Sequence, residues 1–174
     1  SSMYFDGTDD YLSVPASPDF NFGNSDATIE FSVNPQDLTT QQRIVSTQGT
    51  DYLIIIWFGR TDNKFSFRTT NAAETATGSS FSTNVWYHVA VTKVGRVFKL
   101  YVDGIEELAV TATGDAAYSD ALLMIGAYHD GTEDFNGYLD EIRISSGIAR
   151  YSKSIERFAN TFVAKGDTGD AFTA

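Results

Sequence analysis

Apolar and polar positions alternate with a period of two along most of the chain. In Thr28-Ile29-Glu30-Phe31-Ser32-Val33, the side chains of Ile29, Phe31 and Val33 fall on one face and those of Thr28, Glu30 and Ser32 on the other. That alternation is the mark of a half-buried strand. Phe65-Ser66-Phe67-Arg68 repeats it briefly, and Val97-Phe98-Lys99-Leu100-Tyr101-Val102 places Phe98, Leu100 and Val102 together. Asp103-Gly104 follows at once, the preferred pair for a two-residue hairpin, and Lys93-Val94-Gly95-Arg96 marks another reversal. Strands at 86–92, 97–102 and 105–111 therefore read as a meander. Further strands are expected at 3–6, 11–14, 43–47, 52–58, 121–127 and 138–144, separated by turn signals such as Asp6-Gly7, Asn63, Gly78, Gly114-Asp115 and Asp130-Gly131. No long segment has the 3.6-residue period of a helix. One short turn or helix is expected from Ser152 to Phe158. The pattern predicts an all-β sandwich or barrel.

Composition agrees. With 42% apolar residues, 13 Phe and 9 Tyr in 174 residues, the chain has material for one full core and is short for two. Residues 1–164 are expected to form that domain, and the Gly-, Asp- and Thr-rich stretch 165–174 a tail or linker with little to bury. The net charge of −11 repels phosphate backbones, which argues against nucleic acid as a partner and suits cations or neutral sugars. The absence of cysteine excludes thiolate metal sites, disulfides and a cysteine nucleophile. The longest apolar run, Leu53 to Phe58, is too short to span a bilayer, so no membrane insertion is expected.

Candidate chemistry is confined to a few places. Tyr128-His129-Asp130-Gly131-Thr132-Glu133-Asp134-Phe135-Asn136-Gly137 gathers acids, aromatics, an amide and a histidine between two strands. Aromatic faces stack on sugar rings while carboxylates and amides orient hydroxyls, so Tyr128, His129, Asp130, Glu133, Asp134 and Asn136 are candidate ligand residues. The plainer reading is a polar hairpin loop with Phe135 tucked into the core. Trp57 and Arg60 end an apolar strand and join the candidates, with Trp57 either a stacking platform or a core residue. Trp86 reads as core, and His88 as a structural strand residue. By simple alternation Asp140 shares a face with Tyr138, Ile142 and Ile144, leaving Glu141 and Arg143 as a solvated pair on the other. A carboxylate on an apolar face needs a partner. Either backbone N–H groups of a loop or a hard cation such as Ca2+ would serve.

Three segments, in order, resemble a known family. They are Phe5-Asp6-Gly7-Thr8-Asp9-Asp10-Tyr11-Leu12; Trp86-Tyr87-His88-Val89-Ala90-Val91-Thr92 running on to Leu100-Tyr101-Val102-Asp103-Gly104; and Gly137-Tyr138-Leu139-Asp140-Glu141-Ile142-Arg143-Ile144 with Ala149-Arg150-Tyr151. Together they look like the laminin-G-like branch of the concanavalin A-like lectin/glucanase superfamily, over about residues 3–163. The resemblance implies an antiparallel two-sheet jelly-roll β-sandwich that binds glycans or protein surfaces, often with calcium. In such relatives the first and last strands lie side by side and calcium can bind where they meet, which would bring Asp6 and the carbonyls near Gly7 towards Asp140. The ending also resembles modules of bacteriophage tail and virion proteins, which implies an extracellular or virion setting. Expected partners are a carbohydrate, a host-surface glycan or receptor, or other virion or parent-chain domains. The hydrolase branch carries Glu-x-Asp-x-Glu-type runs that set two carboxyls about 5–5.5 Å apart. No such run occurs here, and the adjacent pairs Glu106-Glu107 and Asp140-Glu141 point to opposite faces. No Gly-x-Ser-x-Gly elbow accompanies the two histidines. The chain is therefore expected to be a binding module rather than an enzyme, the alternatives being a structural or decoration domain without a glycan site and, further off, a glycoside hydrolase.

Overall fold

The computed structural model describes residues 1–48, 55–58, 62–69, 72–114 and 122–151, with the backbone of 164–165 and 171–172. Two antiparallel six-stranded sheets pack face to face. Strands are numbered in chain order. The first sheet runs β1 (Met3–Asp6), β12 (Asn136–Ser146), β3 (Ala27–Pro35), β8 (Tyr87–Val94), β9 (Val97–Val102) and β10 (Ile105–Thr111). The second runs β2 (Leu12–Val14), β11 (Leu122–Ile125), β4 (Gln42–Gln48), β5 (Ile55–Phe58), β6 (Phe65–Arg68) and β7 (Thr75–Ala76). A short ribbon pairs β13 (Ala164–Lys165) with β14 (Ala171–Phe172). Helical structure among the described residues is one 3-10 turn at Pro18–Phe20, capped by the Ser17 hydroxyl, which accepts from the Asp19 N–H. The segment Ser152 to Phe158 lies outside the described residues.

The alternating patterns become the core. Ile29, Phe31 and Val33 of β3, Val89 and Val91 of β8, and Phe98 and Leu100 of β9 face Ile44, Ile56, Phe58, Phe65, Phe67 and Leu123 of the second sheet. The rings of Phe67 and Phe98 meet across the sandwich at 5.5 Å, and Phe58 packs edge-on to Phe65 at 4.2 Å. Burying rings of this size supplies the main driving force for closing two sheets on each other.

Two bulges decide which side chains face outward. In β12, Asp140 pairs with Ser32 but Arg143, not Ile142, pairs with Glu30, and Glu141 takes a left-handed φ of 50°. One extra residue shifts the alternation. Ile142 and Ile144 therefore turn to the core, while Tyr138, Asp140 and Arg143 share the outer face. This corrects the simple alternation: Asp140 does not lie among isoleucines, and Arg143 pairs with Glu30 instead of Glu141. In β4, a bulge between Arg43 and Val45 turns both Ile44 and Val45 inward and leaves Arg43 opposite Trp57 on the outside of the second sheet.

Candidate functional site

The loop between β11 and β12 is built onto the end of β4. Its base closes through Phe135 N–H donating to the Gly126 carbonyl at 2.8 Å, with Phe135 fully buried in the core. Gly126 sits at φ 88°, and a Cβ there would come within 2.5 Å of the Phe5 ring, so glycine lets the loop begin flush against β1. The loop tip turns through Tyr128 N–H to the Thr132 carbonyl at 2.8 Å and Gly131 N–H to the Tyr128 carbonyl at 2.9 Å. Three residues of β4 then fasten it. Arg43 N–H donates to the Glu133 carbonyl at 2.8 Å, the Gln42 amide oxygen accepts from Asn136 N–H at 2.9 Å, and the Ser46 hydroxyl donates to the Ala127 carbonyl at 2.9 Å.

This scaffold assembles a cation between two aromatic faces. The Arg43 guanidinium carbon lies 4.5 Å from the Trp57 ring centroid and 4.8 Å from that of Tyr128. Its Nε donates to the Glu133 carboxylate, which also accepts from the Gln41 amide at 3.1 Å. Glu133 holds a left-handed φ of 55°, a conformation that costs a non-glycine residue about 1–3 kcal/mol and persists here under these restraints. The Tyr128 ring packs on the His129 imidazole at 4.0 Å. Trp57 is 1% exposed, yet it stands outside the sandwich interior, sealed beneath Arg43. Its Nε1 has no hydrogen-bond partner among the described residues. The surface offered to solvent is therefore the rim of Tyr128, His129, Gln41, Arg43 and Glu133 rather than an indole face.

The candidates read from the sequence separate into groups. Trp57, Tyr128, His129 and Glu133 come together around Arg43. Asp130 caps the tip, accepting from the Thr132 hydroxyl at 2.6 Å and the Thr132 N–H at 3.1 Å. The Thr132 hydroxyl bond holds the Asp130 carboxyl below its usual range. Asp134 and Asn136 turn the other way. Asp134 accepts from Asp9 N–H at 3.2 Å, and Asn136 pairs with Asp6 beside Gly7. Arg60 lies outside the described residues. Arg43 and Gln41 escape a reading of the sequence, because a lone strand arginine next to a polar run carries no signal of the loop that will meet it.

The register holds Asp6 and Asp140 apart. The register sets Asp6 opposite Asn136 and Asp140 opposite Ser32, four positions apart on β12, or about 13 Å. Each carboxylate already accepts a local backbone N–H, Thr8 for Asp6 at 2.8 Å and Glu141 for Asp140 at 2.9 Å. Among the described residues no group of three or more acids or histidines is arranged to hold a metal ion.

The fold and the loop-borne rim can be set beside known proteins. A laminin G-type family model, described as the concanavalin A-like lectin/glucanases superfamily, matches residues 6–155. The chain belongs to this superfamily. Solved structures of similar shape include a heptameric SAP-like pentraxin from Limulus polyphemus, at 14% identity and TM-score 0.66, covering 85% of this chain and 77% of that one. Domain 4 of an extracellular arabinanase from Geobacillus stearothermophilus, solved in complex with arabinotriose, gives 20% identity and TM-score 0.64, with 87% and 78% covered. A putative carbohydrate-binding protein from Bacteroides ovatus gives 20% identity and TM-score 0.67, covering 98% of this chain but 56% of that one. Likeness at these identities is one of fold. No curated protein sequence matches. Superfamily membership confirms the two-sheet sandwich that the three sequence segments imply. No helix among the described residues is long and apolar enough to cross a membrane.

Proposed function

We propose that this chain is a non-catalytic glycan-binding module whose site is the rim formed by Tyr128, His129, Gln41, Arg43 and Glu133, in an extracellular or virion-borne setting. One observation carries the reading: the Arg43 guanidinium of β4 lies against two aromatic rings and is fixed by the carboxylate of a loop that is fastened in place before any ligand arrives. Preorganised donors beside an aromatic edge suit sugar hydroxyls and C–H faces, and the ordering cost is met in folding rather than binding. The complex of the arabinanase domain with arabinotriose supports a neutral oligosaccharide as ligand, as does the net charge of −11. The state of the loop acids supports binding over hydrolysis. Glu133 is ion-paired, Asp134 accepts from Asp9 and Asp130 caps Thr132. The resemblance of the ending from Leu139 to Tyr151 to phage tail modules supports a role in surface attachment. Residues fitting calcium at Asp6 and Asp140 are not brought together, so the proposal needs no metal.

Affinity electrophoresis through gels containing arabinan, xylan, galactan or β-glucan, with a glycan array beside it, tests this. The protein is expected to be retarded on at least one polysaccharide, and Tyr128→Ala and Arg43→Ala to lose that retardation while remaining folded by circular dichroism. Unretarded migration on every gel with a blank array would overturn it.

A further inference from the structure

The outer face of the first sheet can be read as rows across the strands. One row runs from Tyr4 on β1 through Tyr138 on β12 and Asn34 on β3 to Trp86 at the entry to β8. The rings of Tyr4 and Tyr138 lie 4.9 Å apart, and those of Tyr138 and Trp86 6.4 Å. The expectation that Trp86 is core is overturned: it is 46% exposed and Tyr4 55%. Trp86 precedes Tyr87, which packs inward opposite Val33, so alternation throws the indole outward. The next row, about 6.6 Å along, holds Asp140, Ser32 and His88. Asp103 joins it from the β9–β10 turn, accepting from His88 N–H at 2.9 Å. Ser32, Trp86, Tyr87, His88, Asp103 and Asp140 line a groove of about 380 Å³ beside the aromatic strip.

We propose that this face is a second glycan site, for a neutral saccharide chain, separate from the rim on the other sheet. The strip supplies exposed π faces for the C–H side of sugar rings, and the adjoining row supplies carboxylate, hydroxyl and imidazole groups for their hydroxyls. That mixture sets it apart from a protein-docking patch, whose centre is depleted in charged groups. Carboxylates of Asp103 and Asp140 in a chain of net charge −11 select against acidic sugars. The proposal does not depend on the Arg43 rim, because the two sites sit on different sheets and respond to different substitutions.

The two tryptophans make the test direct, since Trp86 is 46% exposed and Trp57 1%. Acrylamide therefore quenches Trp86 selectively. Adding arabinan, xylan, galactan or β-glucan is expected to protect that quenchable fraction for at least one polymer. Trp86→Ala and Tyr138→Ala should weaken retention on the same polymer about tenfold while Tyr128→Ala leaves the protection intact. Asp140→Asn and Trp86→Phe serve if the alanine variants fail to fold, and should weaken retention by a smaller factor. Unchanged quenching with every polymer overturns the proposal. So does a Trp86→Ala variant that keeps full retention but converts a dimer to a monomer on a sizing column, which would assign the face to a protein interface.

Discussion

The outer faces of the two sheets carry similar residue types and use them in opposite ways. On the second sheet an indole is sealed under a guanidinium, and a fastened loop completes the surface. On the first, the indole and Tyr4 stand open with Tyr138 half-buried between them, and the charges gather further along, around Glu30. Glu30 is 3% exposed and sits on the outer side of β3. Arg143 donates to it at 2.5 Å, Tyr151 at 2.5 Å, and His88 and Arg150 stand at 3.4 and 3.7 Å. The difference shows that an outward strand position does not decide exposure. What lies over the position decides it: a loop on one face, and a local charge network on part of the other. A face closed by a loop has its chemistry fixed in one arrangement. A face left open offers its strand register directly to solvent.

Substitutions on each face test this contrast. The largest effect belongs to Glu30→Gln, expected to cost about 2–3 kcal/mol by urea unfolding at neutral pH, because charged hydrogen bonds to a buried carboxylate are lost. Burial pushes the Glu30 carboxyl up, but hydrogen bonds from Arg143 and Tyr151 and the nearby Arg143 charge outweigh it and hold the carboxyl below its usual range. A carboxyl depressed on folding contributes stability above its unfolded value and loses it as pH falls through the folded one. The gap between wild type and Glu30→Gln should therefore be widest near neutrality and close on acidification; a gap that widens in acid contradicts the network.

Arg43→Met should cost less, about 1–2 kcal/mol, by removing the Glu133 pair and the contacts with two rings while keeping an apolar cover on Trp57. If Trp57 is sealed chiefly by Arg43, its emission should also shift to the red, and an unchanged spectrum would mean that other groups do the sealing. Trp86→Ala, on the open face, should cost less still, about 1 kcal/mol, since the half-buried indole loses its contact with Tyr138 but leaves no sealed cavity. A larger loss would make that face part of the fold rather than a surface for ligands. Smallest of all is the effect of calcium. With Asp6 and Asp140 apart, the melting temperature should be the same in excess Ca2+ and in chelator, whereas selective binding to the folded state would raise it by mass action.

The fold was legible because period-two alternation survives wherever a strand has one wet face, as at Ile29, Phe31 and Val33. The hairpin at Asp103-Gly104 was legible for the same local reason, its turn residues carrying their own geometry, with φ of 50° and 79°. The sites were legible only in part. The loop Tyr128 to Asn136 announces itself by composition, but which side chains converge depends on β4, some ninety positions away, and on a bulge at Ile44 that no local pattern marks. The bulge in β12 is hidden in the same way. A single extra residue moves Arg143 onto Glu30 and takes Asp140 away from the isoleucines, so alternation counted from Tyr138 fails beyond Asp140. Trp86 was misplaced because its motif belongs to a core-forming strand, while the indole itself precedes the first inward position.

The most direct measurement is an amide chemical-shift titration of the isotope-labelled protein with an oligosaccharide of whichever polymer retards it. The resonances of Gln41 to Arg43 and Tyr128 to Glu133 should move together and saturate on one curve, with any response of Tyr4, Ser32, Trp86 and Tyr138 following a curve of its own. Shifts that leave the β11–β12 loop untouched would contradict the assignment of glycan recognition to the Arg43 rim.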